Sequence, residues 1–428
     1  MGILFSVIVP VFNSEKYVVN TIKSVLRQSF SKEKYEIILI NDHSSDNSKL
    51  IIQKFKKKFK NIKVINNKKN YKVSYCRNAG IRNAKGKYII FLDSDDELKE
   101  NTFNKIERLV STYEYDLILC LEYQSNKKRI NPKKIKQINN IESFINYDNK
   151  KHIYNPNCWN MILNKSFLKK KKILFKKIDI FEDQVFCTEV LLSANKVKIL
   201  PNTFYNYILR PLSLSRNTNF LALKSCLYVL INFLEILRKS RASNDKIIFI
   251  QNRINFIIKI FKIYLNICSD KQIKKIVFIF QRYSKKIKSK NNKFFKRYID
   301  TKKNFFKTKK LFKLRNKFIH RVKNNNYYDY NKIYIFGYGV AGRTVFHILK
   351  NNNIKIDGFI DNNRNFLNAV YFGKKIFNPN YLKNLINQQT NRVLVIICKS
   401  KTEKSNQIIQ QLKGNGLRNI NIKIFNIF

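Results

Sequence analysis

The chain has 428 residues, of which 85 are lysine or arginine and 28 are aspartate or glutamate, so its formal net charge is +57. This length is enough for roughly two or three domains with sizeable cores. Its seven cysteines include no Cys-x-x-Cys pair, which argues against a disulfide framework or a zinc site and favours reduced thiols. The chain starts directly with a predicted strand, without a basic segment or cleavage site, so we expect no secretory signal.

The first hundred residues alternate between strand and helix patterns. Apolar runs predict strands at 5–9, 35–40, 61–65 and 87–92. Helical segments are predicted from about 14 to 28 and at 74–83. Pro10 is expected to end the first strand, since proline cannot donate to a strand ladder. Such alternation predicts a mostly parallel sheet whose loops converge at one edge.

Four polar residues, Asp93-Ser94-Asp95-Asp96, follow the fourth predicted strand. Open α/β sheets bind ligands at the carboxyl ends of their strands. Three carboxylates this close repel one another unless a cation joins them, and hard divalent cations prefer oxygen ligands. The tetrad therefore predicts a site for Mg²⁺ or Mn²⁺ that bridges to a diphosphate. The alternative is a solvated acidic turn in which Asp95 or Asp96 caps a helix.

The order of four motifs in this region resembles family 2 of the GT-A glycosyltransferases. The motifs are Pro10-Val11-Phe12-Asn13, Asn41-Asp42-His43-Ser44-Ser45-Asp46, Arg77-Asn78-Ala79-Gly80 and Asp93-Ser94-Asp95-Asp96. They span about a hundred residues, and their joint order and spacing are specific. One departure is His43, where the family more often has glycine, and it is expected to alter the loop near the nucleotide base.

The resemblance implies a donor site made by Pro10, Glu15, Asp42, Arg77, Asp93 and Asp95. In that site Asp42 contacts the base of a nucleotide sugar, with Glu15 in the same pocket. Arg77 approaches the nucleotide or its diphosphate. Asp93 lies on the nucleoside side, and Asp95 reaches the metal.

Two acids, Glu182 and Asp183, begin a predicted helix. Stabilisation of the helix dipole, about 0.3–1 kcal/mol for each acid, would be enough to explain them. In the family that this chain resembles, however, such a Glu-Asp pair carries the catalytic base. The resemblance implies that Asp183 is the base and that Glu182 is its orienting neighbour. A carboxylate suits this role because an acceptor hydroxyl must lose its proton as it attacks the anomeric carbon.

Residues 220–328 combine helical apolar periodicity with a large excess of basic residues. No uncharged span of about 18 residues occurs, which argues against a transmembrane helix. The segments 294–297 and 305–307 pair phenylalanines with cations, as expected at an anionic membrane surface. Compositional bias towards lysine is one alternative, and phosphate neutralisation on nucleic acid is another. Since no nucleic-acid fold motif appears, no nucleic-acid partner is expected.

Residues 329–428 begin a new α/β pattern that predicts a Rossmann-like domain. A predicted strand leads into Gly337, Gly339 and Gly342, and then into a helix. These glycines permit backbone amides to approach a pyrophosphate at the helix amino end. Asp361 ends the next predicted strand, where a ribose-binding carboxylate is found in dinucleotide-binding domains. The alternative is that these four residues only determine the fold.

The sequence as a whole predicts a GT-A domain at 1–219, a basic amphipathic helical region at 220–328 and a Rossmann-like domain at 329–428. The resemblance implies an inverting glycosyltransferase of the hexosyl- or N-acetylhexosaminyltransferase class. We expect it to use Mg²⁺ or Mn²⁺ and to move sugar from a nucleotide-sugar donor, a UDP-sugar, to a glycan or lipid-linked glycan acceptor. The expected acceptor is a bacterial surface glycan such as lipooligosaccharide or capsule.

We expect the protein in the cytoplasm, peripheral on the inner face of the cell membrane, with the anionic membrane surface as a partner. Two other classes of function remain as alternatives. One is a nicotinamide-dependent oxidoreductase that uses the carboxyl-terminal domain. The other is a non-catalytic basic protein that binds nucleic acid.

Overall fold

The computed structural model describes most of the chain, apart from several gaps. The described residues are 2–121, 138, 140–151, 156–201, 204–208, 220–239, 243–265, 268–286, 316, 320, 327, 330–337, 340–350, 353–362, 367–371, 373–386, 393–398, 407–412 and 421–425.

The described residues of the amino-terminal part form nine strands. They are β1 (Phe5–Val11), β2 (Tyr35–Asn41), β3 (Ile62–Asn66), β4 (Tyr88–Phe91), β5 (Glu97–Leu98), β6 (Leu117–Cys120), β7 (Met161–Asn164), β8 (Val197–Leu200) and β9 (Tyr205–Asn206). Seven of them form a sheet in the order β3-β2-β1-β4-β7-β6-β8, and β5 pairs with β9. Strands β1 to β4 are mutually parallel, whereas β7 runs antiparallel to both β4 and β6. The mostly parallel first half confirms the sequence prediction.

Seven helices accompany this sheet among the described residues. They are α1 (Val18–Leu26), α2 (Ser48–Lys58), α3 (Val73–Asn83), α4 (Thr102–Thr112), α5 (Ile141–Lys151), α6 (Lys165–Lys171) and α7 (Glu182–Ser193). Successive strand residues enter opposite cores, because side chains alternate across a sheet. Ile8 and Ile38 belong to one buried cluster, while Val7 and Ile37 belong to the other. Strands buried on both faces explain why the sequence shows continuous apolar runs.

Strand β1 continues through Pro10 to Val11, so the predicted break at this proline is wrong. Pro10 is paired with Ile40 of β2 in the parallel register. The neighbour on the other side, β4, pairs with β1 only as far as Ile8. The carbonyl of Ile8 accepts a hydrogen bond from Leu92, so the backbone of Ile8 faces β4. Because backbone groups alternate between the two sides along a strand, the nitrogen of Pro10, two residues later, also faces β4. It lies beyond the point where β4 stops pairing with β1, so no strand hydrogen bond is lost. A missing amide is tolerated there.

Three longer helices follow, α8 (Phe220–Lys239), α9 (Asn244–Leu265) and α10 (Asp270–Lys286). Among the described residues, α8 alone is long and apolar enough to cross a membrane, and 56% of its apolar window is buried within the protein. That degree of burial is also typical of a core helix. The first part of α9 packs with the amino-terminal sheet, because Phe249 joins one of its core clusters. There Arg253 also forms a buried ion pair of 2.6 Å with Asp148 of α5.

The chain divides into two compact units, 1–208 with 239–253, and 209–238 with 254–428. The second unit contains β10 (Lys332–Phe336), β11 (Gly358–Ile360), β12 (Val370–Tyr371), β13 (Lys374–Phe377), β14 (Val393–Cys398) and β15 (Asn421–Phe425), with helices α11 (Val340–Lys350) and α12 (Tyr381–Ile386). Its sheet has the order β12-β13-β11-β10-β14-β15 and is parallel except at β12. This α/β architecture agrees with the predicted Rossmann-like fold.

Candidate active site

Asp42 lies at the carboxyl end of β2 and is buried. Its carboxylate accepts three hydrogen bonds of 2.8 Å, from the side-chain amide of Asn67 and from the backbone amides of Tyr71 and Lys72. These bonds hold the loop between β3 and α3 against the end of β2. His43, where the resembled family favours glycine, has a φ of +62°, in the left-handed region. The departure noted in the sequence is therefore accommodated in a conformation that glycine adopts more easily.

The predicted donor residue Glu15 ties the loop after β1 to the start of α2. One of its carboxylate oxygens accepts hydrogen bonds of 3.0 Å from both the backbone and the side-chain amide of Asn47. Its own amide donates to Asp46 at 3.0 Å. Pro10 is the second-to-last residue of β1 and lies towards the same edge of the sheet as Asp42. The predicted donor-side residues therefore gather at the carboxyl ends of two neighbouring strands.

The acidic tetrad forms a cluster in which carboxylate oxygens of Asp93, Asp95 and Asp96 lie within 4.8 Å of one another. Asp96 is buried, and its two oxygens accept bonds from the Tyr205 hydroxyl at 2.6 Å and the Ile208 amide at 2.8 Å. Burial, followed by the negative charges of Asp93 and Asp95, raises the pKa of Asp96 to about 7. The cluster therefore concentrates negative charge that a bound cation would neutralise.

The donor set of this cluster fits a small hard cation. All three side chains offer carboxylate oxygens, the ligands that Mg²⁺ and Mn²⁺ prefer. Asp96 already uses both oxygens within the protein, and Asp93 uses one to accept a bond from Arg77. Mg²⁺ is usually held by one or two carboxylates together with substrate phosphates. The residues present would therefore hold such an ion mainly through Asp95 and Asp93.

Arg77 joins this cluster to the beginning of helix α7. One terminal nitrogen donates to Asp93 at 2.8 Å, and the other donates to Glu182. The guanidinium lies over the ring of Phe175, 5.3 Å from its centre, and the side chain is only 5% exposed. Arg77, which is predicted to approach the nucleotide or its diphosphate, is therefore buried and bridges two carboxylates of the protein. We name this set of Asp93, Arg77 and Glu182 the arginine bridge.

Replacing Arg77 with methionine is expected to destabilise the protein by about 3 kcal/mol, because two acids lose a largely buried cation. Urea unfolding measures this loss. The free energy of unfolding of Arg77→Lys should lie between those of the wild type and Arg77→Met. Arg82→Met is the matched control, since Arg82 is exposed on the same helix. Equal unfolding midpoints for Arg77→Met and the wild type would show that the arginine bridge contributes nothing to stability.

Asp183 follows Glu182 and differs from it in exposure, since Glu182 is buried and Asp183 is partly exposed. Burial, followed by the charge of Glu182, raises the pKa of Asp183 well above its usual range, although Arg77 opposes this effect. A carboxylate with a raised pKa is a stronger base than one in water. The structure thus places a partly exposed carboxylate with a raised pKa next to the arginine bridge, and the role of Asp183 as the base stays a prediction.

An aromatic stack supports the acidic cluster. Trp159 stacks on Tyr205 with ring centres 4.3 Å apart. The ring of Trp159 also stacks with Tyr207, with ring centres 6.0 Å apart. The Tyr205 hydroxyl both donates to Asp96 and accepts from the Asp93 amide at 3.2 Å. The sequence alone predicts no role for Tyr205, and Asp96 is interpreted there either as a member of the metal-binding tetrad or as a helix cap. Their contact depends on the pairing of β5 with β9, which brings together residues 109 positions apart, and no local sequence pattern signals it.

In the carboxyl-terminal sheet, Gly337 and Asp361 directly follow the neighbouring parallel strands β10 and β11. The Gly337 amide donates to Ile360 at 2.7 Å, and its φ of +95° favours glycine. Any side chain at Gly342 would overlap the carbonyl oxygen of Gly337. Gly339 lies outside the described residues. These two observations explain the glycines at 337 and 342, and nucleotide binding there stays a prediction.

Comparisons with known proteins identify the amino-terminal part. Residues 6–173 match the family model for glycosyl transferase family 2. The chain is 34% identical over 207 residues to the poly(ribitol-phosphate) beta-N-acetylglucosaminyltransferase TarP of Staphylococcus aureus N315, covering 47% of this chain and 61% of TarP. It is 28% identical over 214 residues to TarS of S. aureus Mu50, which has the same enzyme name, covering 47% of this chain and 35% of TarS. The chain therefore spans less than two thirds of either relative.

Among solved structures, residues 1–349 of S. aureus TarS match with a TM-score of 0.53 and 20% identity, covering 74% of this chain and 92% of that one. At this identity the likeness shows the fold alone, and it agrees with the predicted GT-A sheet. The sequence match covers the first three motifs and the acidic tetrad, and it ends before Glu182. Residues 6–173 of this chain therefore match glycosyl transferase family 2, and the sheet that they help to build agrees with the predicted GT-A fold.

Proposed function

We propose that the protein is an inverting glycosyltransferase that moves a sugar from a UDP-sugar to a hydroxyl of a bacterial surface glycan. The observation that carries this proposal is the arginine bridge. Through Arg77 it joins Asp93 of the acidic cluster to Glu182, the neighbour of Asp183. A group that holds the donor diphosphate and a group that accepts a proton therefore belong to one site.

Asp183 is the base in this proposal. Glu182 is buried and engaged by Arg77, whereas Asp183 is partly exposed and has a raised pKa. Asp183 takes the proton of the acceptor hydroxyl as the hydroxyl oxygen attacks the anomeric carbon. The bond to the diphosphate breaks on the opposite face of the sugar, so an α-linked donor gives a β-linked product.

On the donor side, Asp42 and Glu15 lie at the edge where the base and ribose would bind. A bound Mg²⁺ or Mn²⁺ would supply positive charge to the departing diphosphate. The UDP-sugar donor is supported by solved TarS structures that contain UDP and UDP-GlcNAc. The β-linkage agrees with the relatives' names, beta-N-acetylglucosaminyltransferase and poly(ribitol-phosphate) beta-glucosyltransferase.

The acceptor is proposed from the relatives. TarP and TarS are named for poly(ribitol-phosphate), and GgaB of Bacillus subtilis for minor teichoic acid biosynthesis. These are bacterial surface polymers, so the proposed acceptor is a glycan or lipid-linked glycan of that class, with lipooligosaccharide and capsule as further members. We place the protein in the cytoplasm, on the inner face of the membrane, as part of this proposal. The predicted membrane segments at 294–297 and 305–307 lie outside the described residues.

A raised pKa of Asp183 predicts how transfer depends on pH. The base must be deprotonated, so activity is present above its folded-state pKa and is lost as pH falls through it. Because that pKa lies above the ordinary 3.8, the acid limb of kcat/KM is expected well above pH 3.8. A kcat/KM profile across pH, measured with a soluble acceptor, locates the limb. An acid limb near the ordinary carboxylate value would contradict the assignment.

Donor hydrolysis tests the proposal as a whole. A panel of UDP-, GDP- and dTDP-sugars is incubated with the full chain and Mn²⁺, and release of the nucleoside diphosphate is followed. We expect release from a UDP-sugar, loss of release in EDTA and recovery on adding Mn²⁺. No release from any donor, together with NAD-dependent hydride transfer or salt-sensitive RNA binding, would favour one of the two alternative classes.

A further inference from the structure

Helix α10 exposes a face on which basic residues surround a phenylalanine. The face consists of Lys271, Lys274, Lys275, Phe278 and Arg282, all exposed. Their spacing of three or four residues places them on one side of the helix. We call this set the basic face. The helix carries no acid after Asp270, its first residue.

The opposite side of α10 is already buried. Ile273, Ile276, Val277 and Phe280 are at most 3% exposed. The residues that pack α10 against the rest of the protein are therefore not those of the basic face. Phe278 is 61% exposed, whereas Phe280 on the inner side of the same helix is buried. The exposure of Phe278 is a cost in water that a partner would remove.

We propose that the basic face docks on an anionic lipid surface. Lysine and arginine head groups would meet lipid phosphates, while their alkyl chains and the Phe278 ring would enter the region of the acyl chains. A nucleic-acid backbone also complements the charges, and an aromatic ring can stack on an unpaired base. The alkyl chains of the lysines around Phe278, however, have an apolar counterpart in the acyl layer of a membrane and none in nucleic acid. The occupant that matches the charges, the ring and the alkyl chains together is a membrane. This inference rests on the proposed function only through its membrane-linked acceptor.

Vesicle co-sedimentation of the full chain tests the docking. Phosphatidylcholine vesicles are compared with and without phosphatidylglycerol, at low and raised salt. We expect binding only with phosphatidylglycerol, weakened by salt. Removing charges in the triple variant Lys271→Gln, Lys274→Gln, Lys275→Gln should weaken binding by about fivefold for each lysine. Phe278→Ser should weaken it by roughly tenfold and should leave the salt dependence unchanged.

Helix α2 offers a matched control. It exposes Leu50, at 62%, beside Lys49, Lys54 and Lys57. Leu50→Ser combined with glutamine at these three lysines removes the same number of charges and one exposed apolar side chain. Vesicle binding by this control should stay within about twofold of the wild type, since α2 lies outside the proposed docking surface.

Three results would overturn the proposal. The α2 control could lose as much vesicle binding as the α10 variants, which would make the effect one of overall charge. The α10 variants could bind vesicles as the wild type does. The basic face could instead be required for binding single-stranded RNA while vesicles stay unbound. Circular dichroism and donor hydrolysis on every variant separate these results from misfolding and from failure of the proposed function.

Discussion

Replacing Asp183 with asparagine is expected to lower the rate of sugar transfer by about 10²- to 10⁴-fold, the range that a general base contributes. Asparagine keeps the size of the side chain but cannot accept the proton of the acceptor hydroxyl. Donor affinity should stay close to that of the wild type, because Asp183 does not belong to the acidic cluster. The turnover number with a soluble acceptor and calorimetric binding of UDP separate the two effects.

Two variants on the same helix sharpen this test. Glu189→Gln is the matched control, because Glu189 is partly exposed and forms an ion pair of 3.0 Å with Lys176. This variant should transfer sugar at the rate of the wild type. Glu182→Gln should lower stability, because Arg77 loses one of its two carboxylates. If Asp183→Asn still transfers sugar, while Glu182→Gln folds normally and is inactive, the base is Glu182.

Asp95→Asn is expected to reduce turnover by orders of magnitude, comparable to the roughly 10²- to 10³-fold lost with one electrostatic group at a reaction centre. The substitution removes a negative charge from the acidic cluster while keeping the side chain's size. It should therefore weaken metal affinity, so part of the activity should return at high Mn²⁺. Activity measured against Mn²⁺ concentration gives both the half-saturation point and the limiting turnover.

The control for this variant is Glu100→Gln, because Glu100 is an exposed acid close to the tetrad in sequence. Its half-saturation point for Mn²⁺ should match that of the wild type. Wild-type turnover by Asp95→Asn, or full activity of the wild type in EDTA, would contradict the metal role of Asp95.

Much of this fold could be predicted because its signals are local. Strands β1 to β4 are buried on both faces and read as continuous apolar runs, and polar clusters such as Asn41-Asp42 and Asp93-Ser94 mark where strands end. Parallel strands bring such ends to one edge, so the order of the motifs was enough to predict that these loops meet there. The predicted strand break at Pro10 was wrong, because a strand tolerates proline where its neighbour, here β4, has stopped pairing.

The contacts that organise the site are long-range and could not be predicted in this way. Arg77 meets Glu182 across 105 positions, and Tyr205 meets Asp96 across 109. Nothing in the local pattern of Arg77 distinguishes an arginine that binds phosphate from one that bridges two acids. Its burial and its partners come from how α3, β4 and α7 pack together. The roles of these residues therefore depend on the folded structure and not on their local sequence.

The arginine bridge also has a consequence for sequence variation. Asp93, Arg77 and Glu182 share one cation, so a change at any one alters the surroundings of the other two. Substitutions at these positions should be non-additive: neutralising Glu182 in an Arg77→Met background should cost less than it does alone. Across descendants of this gene, the three positions should accordingly be lost or exchanged together, although up to 105 residues separate them in the chain.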